Sequence, residues 1–420
     1  MTGLVDCGEG GNVFGVQFIK ISLDGKELLH RKFDNFSYDQ NHECPYVYDY
    51  HKSNPRGTGY VYNLFKWPFE TLPISAEFGS WAGVIGEQSP GLHHLEILCE
   101  DFGGNKVVAN GEVYLEPQKK LAKPFTGNIS CKKVEFNTFS VVAIGEISQN
   151  LGKADFDGVS CRDGNGVEHV LPAKISGRNV QVAFPIAEIW KDGAMSGPNA
   201  GERCPSQVLP KLAFVPSAGG ELKENSVGVT AVFPKGSLHF PILGQILPVH
   251  GIQGTKKLPA KSAGYAIQPS NFVTGKALKL EIPFASHSKP QRLGIYAGVS
   301  PNFSYQGGEV HDSKLVLECR ALKKGAFVIM EDNIPPVLQF KGSRTIKHLG
   351  PVWVFSVSDL GEGISDEKFL PVVDGKTADW DFDPDHDELY IVKPVGKSGH
   401  SVTISAFDQA GNKAVFTRKL

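Results

Sequence analysis

The feature that most constrains the fold is a segment that occurs near both ends of the chain. His93–Lys106 can be laid over His400–Lys413, because in both a histidine leads an alternating strand and Asp-x-x-Gly-Asn-Lys follows it. Aspartate can bond the backbone two residues on, and Gly-Asn supplies the positive φ that a tight β-turn needs. The pattern therefore predicts two hairpins whose structural turn residues are Asp101, Gly104, Asn105, Asp408, Gly411 and Asn412.

Two further pairs of landmarks precede these hairpins in the same order. The first pair lies upstream of the histidine strands and consists of Asp24-Gly25-Lys26 and Asp374-Gly375-Lys376. The second pair comes before these and consists of Asp6 and Asp359, each closely followed by glycines. The shared order indicates that the first and last modules are copies of one sandwich. About 25 residues (333–357) precede Asp359 and can supply two opening strands, whereas five precede Asp6. We therefore expect the first sandwich to lack its opening strands, as in an N-terminally truncated chain.

The rest of the chain repeats short alternating segments separated by turn signals. It contains 47 Gly, 27 Pro and 26 Phe, and long amphipathic helical patterns are almost absent. This predicts an all-β fold of tandem Ig-like β-sandwich modules with antiparallel sheets. The 420 residues suffice for about four modules. We place Ig-like sandwiches at 1–115 and 333–420, a β-sandwich module at 116–218 after a Pro/Lys-rich linker, and a β-rich module at 219–332.

Charge, hydropathy and cysteine usage exclude several classes of protein. The net charge is −2 with no block of like charges, which argues against nucleic acid as a partner. No apolar run approaches the roughly 18 residues of a membrane span, so we expect a chain that is not transmembrane. The first 11 residues show no signal peptide. Seven scattered cysteines without Cys-x-x-Cys favour buried thiols over a disulfide framework. The oligomeric state is not indicated.

Motifs for catalysis fail on inspection, so we predict no catalytic residue. Zinc hydrolysis needs histidines and carboxylates that converge on one ion. His93 and His94 are adjacent, and on a strand they point to opposite faces. Both His93 and His400 are interpreted as structural residues at strand starts. The run from His30 to Asp34 has a His-x-x-x-Asp spacing, but ordinary surface residues are the favoured interpretation.

One metal candidate and one set of aromatic candidates remain open. Asp381, Asp383, Asp385 and Asp387 alternate in an oxygen-rich run that could suit calcium. A solvated acidic turn is the favoured alternative, because His386 stands where a calcium loop needs glycine and Val392 where it needs glutamate. Tryptophans on the surface could bind sugar, but packing in the core is the favoured interpretation of the candidates Trp67, Trp81 and Trp380.

Several of these segments resemble one family. The resemblance is to the region downstream of the catalytic domain in lysostaphin-type (LytM-like) zinc metallopeptidases of Gram-negative bacteria. In the first module it is carried by Phe14–Lys26, Phe33–Asp39 and the first hairpin. Phe233–Leu238 resembles the same tails and, more loosely, ZU-type β domains, and the last module resembles their terminal Ig-like repeat. The family's zinc motifs, His-x-x-x-Asp with an intervening glycine and a later His-x-His, are absent. The resemblance therefore implies zinc only in a catalytic domain outside this chain, and no cofactor within it.

The resemblance implies a non-catalytic accessory tail of a peptidoglycan endopeptidase in the cell envelope or periplasm. Peptidoglycan or an envelope protein is the implied partner. The alternative is a stand-alone envelope adhesin or glycan-binding protein built from the same modules. Both hypotheses expect binding rather than catalysis by these residues.

Overall fold

A computed structural model describes most of the chain. The described residues are 6–7, 13–48, 60–85, 88–115, 124–125, 129–137, 140–151, 158–191, 194–195, 207–208, 212–270, 273–285, 289–322, 325–396 and 399–420. They are nearly all β and form several antiparallel sheets, which confirms the predicted fold class. The predicted linker runs from 116 to 124; its residues 116–123 and the side chain of Asp6 lie outside the described residues, and Pro124 begins a strand.

The first group of strands forms one four-stranded sheet in the order β4-β3-β5-β6. The strands of the sheet are β3 (Phe18–Leu23), β4 (Lys26–Lys32), β5 (Gly91–Glu100) and β6 (Lys106–Leu115). Before them, β1 (Asp6–Cys7) and β2 (Val13–Phe14) form a separate pair. Helix α1 (Cys44–Val47) and two 3-10 turns lie between β4 and β5. Ile19 and Cys99 pack against Val47 and Leu72 from this connection.

Within the run from His30 to Asp34, interpreted as surface residues, the same connection buries one residue, Arg31. The side chain of Arg31 is 1% exposed and bonds Glu70. Alternation along β4 places Arg31 on the same buried face as Leu29, and the chain between β4 and β5 covers that face.

The second group of strands builds a seven-stranded sheet in the order β13-β12-β10-β11-β9-β8, with β7 parallel to β10. Its strands are β7 (Pro124–Phe125), β8 (Ile129–Phe136), β9 (Ser140–Leu151), β10 (Gly158–Arg162), β11 (Glu168–Pro185), β12 (Ala194–Met195) and β13 (Gln207–Val208). Its core includes Val182, Phe184 and Trp190.

The third group of strands forms two packed sheets, β14-β17-β18-β24-β20-β21 and β15-β16-β19-β23-β22. Its strands are β14 (Ala213–Val215), β15 (Gly220–Glu224), β16 (Val229–Phe233), β17 (Ile242–Val249), β18 (Gly264–Gln268), β19 (Val273–Pro283), β20 (Leu293–Val299), β21 (Asn302–Gly307), β22 (Glu309–His311), β23 (Lys314–Ala321) and β24 (Ala326–Glu331). Leu222, Phe233, Leu280 and Ile295 fill the core between them. Strand β14 pairs with β17, although the sequence places it before the boundary drawn at 218.

The last group of strands is a sandwich of two four-stranded sheets, β25-β26-β30-β29 and β28-β27-β31-β32. Its strands are β25 (Val337–Ile346), β26 (Gly350–Ser358), β27 (Ile364–Val373), β28 (Lys376–Thr377), β29 (Trp380–Asp383), β30 (Glu388–Val392), β31 (Ser401–Asp408) and β32 (Lys413–Lys419). Phe355 and Leu389 of one sheet pack against Phe369 and Ile404 of the other.

The internal repeat has a structural counterpart in the order of the strands. Sheet β28-β27-β31-β32 matches β4-β3-β5-β6. The repeated histidines lie near the start of the third strand, His93 as the third residue of β5 and His400 directly before β31. His93 Nδ1 lies 2.7 Å from Asp24 Oδ2, and His400 Nδ1 lies 2.6 Å from Asp374 Oδ2. Among the described residues, the first module has no counterpart of the second sheet of the last sandwich.

The Asp24–His93 contact predicts a pH-dependent effect of Asp24→Asn, larger at pH 5 than at pH 9. The backbone N–H of His94 and then the His93 ring lower the pKa of Asp24, so its contribution is present above about pH 4 and is lost as pH falls through the folded-state pKa. Asp24 in turn raises the pKa of His93, whose contribution is complete below about pH 6.5 and is lost as pH rises through that raised pKa. Urea unfolding followed by tryptophan fluorescence at both pH values measures the difference.

Asp34→Asn is the control, because Asp34 forms only an exposed ion pair with Lys32. A residual effect of Asp24→Asn is expected at pH 9, since Asp24 Oδ1 still accepts the N–H of His94 at 2.8 Å. An equal effect at both pH values would contradict the role assigned to the charged pair.

Candidate metal centre

The structure gathers three aspartates at the junction between the third and last groups of strands. Asp332 follows β24, Asp359 follows β26, and Asp408 ends β31. One carboxylate oxygen of each lies within 4.8 Å of the others. In the part of the chain that the structure describes, this is the one group of three His, Cys, Asp or Glu residues that meets this condition. We call these three residues the acidic junction.

Asp332 holds its position through backbone contacts on both sides of the boundary. Its N–H donates to the carbonyl of Arg292 at 2.8 Å. Its Oδ1 accepts the N–H of Ile334 at 2.8 Å, and its Oδ2 accepts the N–H of Glu362 at 2.7 Å. Asp332 therefore ties the end of the third group to the loop that follows β26.

That loop owes its shape to Asp359 and two glycines. Asp359 Oδ2 accepts the N–H groups of Gly361 at 2.8 Å and Gly363 at 3.0 Å, while its buried Oδ1 has no hydrogen-bond partner. A Cβ on Gly361 would lie 1.9 Å from Asp332 Oδ2. The absence of a side chain at Gly361 is what allows the loop to close over Asp332.

Asp408 belongs to the repeated hairpin but differs from its copy Asp101. Asp101 accepts the Asn105 N–H on Oδ1 at 2.8 Å and the Asn105 side-chain amide on Oδ2 at 2.7 Å. Asp408 Oδ1 accepts the Asn412 N–H at 2.6 Å, but the Asn412 amide donates instead to the carbonyl of Asp332 at 3.1 Å. Asp408 Oδ2 is therefore left buried and without a hydrogen-bond partner.

The acidic junction concentrates carboxylates in a largely buried region, in which Asp359 is partly exposed. Asp332 and Asp408 are both 0% exposed, and burial raises the pKa of each. Burial, together with Asp332, Asp408 and Asp359, raises the pKa of the neighbouring Glu362 to about 8. The positive charge of Arg292 opposes the rise in the pKa of Asp332 only as a minor influence. Because buried carboxylates are costly without compensating charge, a proton or a cation is needed here.

The chemistry of the donors suits a hard cation. All ligand atoms of the acidic junction are carboxylate oxygens, the donors that calcium and magnesium prefer. An oxygen-only group is less typical of structural zinc, which is bound mainly by cysteine and histidine. The acidic junction can therefore hold a divalent cation between two groups of strands.

The calcium candidate from the sequence lies elsewhere, at the turn between β29 and β30. Asp383 Oδ1 accepts the N–H of Asp385 at 3.0 Å, and Asp383 Oδ2 lies 2.9 Å from His386 Nδ1. Asp385 and Asp387 are exposed. Asp381 contacts His348, and the four carboxylates do not supply three ligand atoms within 4.8 Å of one another.

The predicted turn residues lie in the two hairpins, with Gly104 at φ +84° and Gly411 at φ +81°. Trp67 and Trp81 lie in an aromatic cluster with Phe69 and Phe240, which brings the first group of strands against the third. Trp380 packs against Phe369, with ring centroids 5.3 Å apart.

Sequence reasoning assigned Asp408 a turn role and missed Asp332 and Asp359 as its partners. Asp359 was visible as a landmark of the repeat, and Asp332 as part of a module boundary. An aspartate at each of three places where strands end was the available signal.

Comparison with known proteins gives little further guidance. No protein-family model and no curated protein matches the chain. One similar solved structure, described as "Ca2+-stabilized adhesin helps an Antarctic bacterium reach out and bind ice", is 9% identical, and the match covers 98% of this chain and 90% of that one. Its TM-score of 0.15 is too low to support any inference. Within the described residues, none of the helices has the length and apolar character needed to cross a bilayer.

Proposed function

We propose that this chain is a non-catalytic binding segment at the bacterial cell envelope, with an adhesin-like role in which its β modules present a surface to a glycan. The observation that carries the proposal is an exposed face on the first sheet that mixes apolar and polar side chains. Leu92, Val108 and Tyr114 are 56%, 49% and 64% exposed on β5 and β6, and polar residues, among them His94 and Glu112, lie on the same face between them. Exposed tyrosines, which join an apolar ring to a polar hydroxyl, are enriched at interfaces.

The register of the two strands places these side chains on one face. Leu92 pairs with Tyr114, and Val108 pairs with Leu98. Since side chains alternate along a strand, all four point to the same side of the sheet. The opposite side carries Ile97 and Cys99, which belong to the core of the first module.

The accessory role in a peptidoglycan endopeptidase is the second candidate. It rests on the motifs that resemble lysostaphin-type tails, and the same exposed face would then recognise murein. Both roles need binding by this face, and they differ in the ligand.

Cosedimentation with isolated murein sacculi and a glycan array test the proposal together. We expect saturable binding to at least one of them and no release of muropeptides. Binding to sacculi favours the accessory role, whereas binding to other glycans alone favours the adhesin-like role. Blank results in both assays contradict a glycan-binding role, and muropeptide release contradicts a non-catalytic one.

A double variant, Leu92→Ser with Tyr114→Ser, is expected to weaken the binding at least about tenfold, because it removes the apolar contact from both strands. The matched control is Val415→Ser, which alters an exposed valine at the position of the repeat that corresponds to Val108. Equal loss in the variant and the control would contradict the assignment of this face.

A further inference from the structure

We propose that the acidic junction is a calcium site in which Asp332, Asp359 and Asp408 bind one Ca²⁺ between the third group of strands and the last sandwich. This site is independent of the glycan-binding role and would stand if that role failed. The chemistry is that of a structural cation held by carboxylates from two modules.

The first support is convergence. Oxygens bound to one Ca²⁺ at about 2.3–2.6 Å lie no more than about 5 Å apart. The ligand oxygens of the three aspartates already lie within 4.8 Å of one another. The spacing of these oxygens is therefore compatible with one shared ion.

The second support is a pair of buried oxygens that lack any donor. Asp408 is 0% exposed and its buried Oδ2 has no hydrogen-bond partner. Asp359 is partly exposed as a residue, but its Oδ1 atom is likewise buried and without a hydrogen-bond partner. A buried acceptor without a partner costs free energy that a coordinated cation would recover. Each of these residues uses its other oxygen to shape the local turn or loop.

The internal repeat shows that the turn alone does not require this arrangement. Asp101 builds the same hairpin with both of its oxygens bonded to Asn105. At Asp408 the corresponding asparagine amide bonds Asp332 instead. The last hairpin thus differs from its copy, and the difference leaves one carboxylate oxygen of Asp408 without a hydrogen-bond partner at the acidic junction.

Calcium fits better than magnesium because proteins usually hold magnesium through only one or two carboxylates, whereas three converge here. Calcium accepts six to eight oxygens in flexible geometry, whereas magnesium demands a near-ideal octahedron at about 2.0–2.1 Å. Glu362 Oε1 is a further buried oxygen without a hydrogen-bond partner beside the three aspartates. Water and backbone carbonyls can complete the shell.

The expected consequence is a stiffer junction. Asp332 belongs to the end of the third group, while Asp359 and Asp408 belong to the last sandwich. An ion that binds only the folded arrangement stabilises it by mass action.

The test titrates CaCl₂ into the full chain after treatment with a chelator, with calorimetry and thermal unfolding as readouts. We expect one saturable site, a rise of several degrees in an unfolding midpoint, and a smaller response to MgCl₂. No heat and no shift at millimolar calcium would overturn the proposal, and protons alone would then compensate the carboxylates.

Asp408→Asn and Asp359→Asn are expected to weaken calcium binding at least about tenfold. Asp101→Asn is the matched control in the other hairpin, and Asp383→Asn reports on the exposed acidic turn. Both controls are expected to bind as the unaltered chain does. Retained binding in both junction variants, or an equal loss with Asp383→Asn, would overturn the assignment.

Hydrogen exchange of the unaltered chain gives a readout that needs no variant to fold. With calcium, amides at 332–334 and 359–363 are expected to exchange more slowly than with chelator, while those at 101–105 stay unchanged. Unchanged exchange at the junction would overturn the proposal.

Discussion

Arg31→Met is expected to destabilise the first module by about 3–5 kcal/mol, because it leaves a buried carboxylate without its partner. The side chains of Arg31 and Glu70 are 1% and 0% exposed. Arg31 Nη1 donates to Glu70 Oε1 at 2.5 Å and Nη2 donates to Oε2 at 3.0 Å, so the pair is bidentate. Such geometry makes the loss of one partner far more costly than the loss of a surface pair.

The guanidinium also holds the connection between β4 and β5 in place. Arg31 Nη2 donates to the carbonyl of Phe65 at 2.7 Å, and Nε donates to the carbonyl of Asn63 at 3.2 Å. Methionine fills much of the volume but supplies none of these donors. The connection would therefore lose its anchor to the sheet as well as its charge balance.

Hydrogen exchange of β3 and β5 amides in the full chain measures this effect locally. Lys32→Met is the matched control on the next residue, since the Lys32–Asp34 pair is exposed and worth at most about 1 kcal/mol. Faster exchange is expected throughout the first sheet in Arg31→Met alone. Similar protection in both variants would contradict the structural role of the buried pair.

Local pattern sufficed for the hairpins and the all-β class. The Asp-x-x-Gly-Asn-Lys segments carry their own turn chemistry, so both hairpins follow from neighbouring residues. Period-two alternation likewise predicts strands such as β31, where Val402, Ile404 and Ala406 are buried in turn.

The acidic junction could not be predicted in the same way. Asp332, Asp359 and Asp408 are tens of residues apart, and each forms a local turn or loop contact that is sufficient explanation by itself. Only the packing of the last sandwich against the end of β24 brings one carboxylate oxygen of each residue together. Arg31 was missed for a related reason, because its partner Glu70 comes from an irregular connection without periodicity.

Gly361→Ala is expected to open the contact between the third group and the last sandwich at a cost of about 2–3 kcal/mol. A Cβ at this position would lie 1.9 Å from Asp332 Oδ2 and 2.3 Å from Asp332 Cγ. The Asp332 carboxylate cannot move aside without breaking its bonds to the N–H groups of Ile334 and Glu362. The methyl group therefore displaces the residue that joins the two parts of the chain.

Gly111→Ala is the matched control, since a Cβ on this strand glycine meets nothing within 4 Å. Its effect is expected to stay within about 1 kcal/mol, because alanine fits an extended strand and restricts the unfolded chain. Hydrogen exchange at 332–334 and 359–363 separates the two variants, with faster exchange in Gly361→Ala only. This outcome does not depend on calcium, because the clash with Asp332 exists whether or not a cation is bound. If Gly361→Ala kept full protection at both segments, the loop could not close over Asp332 as tightly as the structure has it, and the acidic junction would lose its geometric basis.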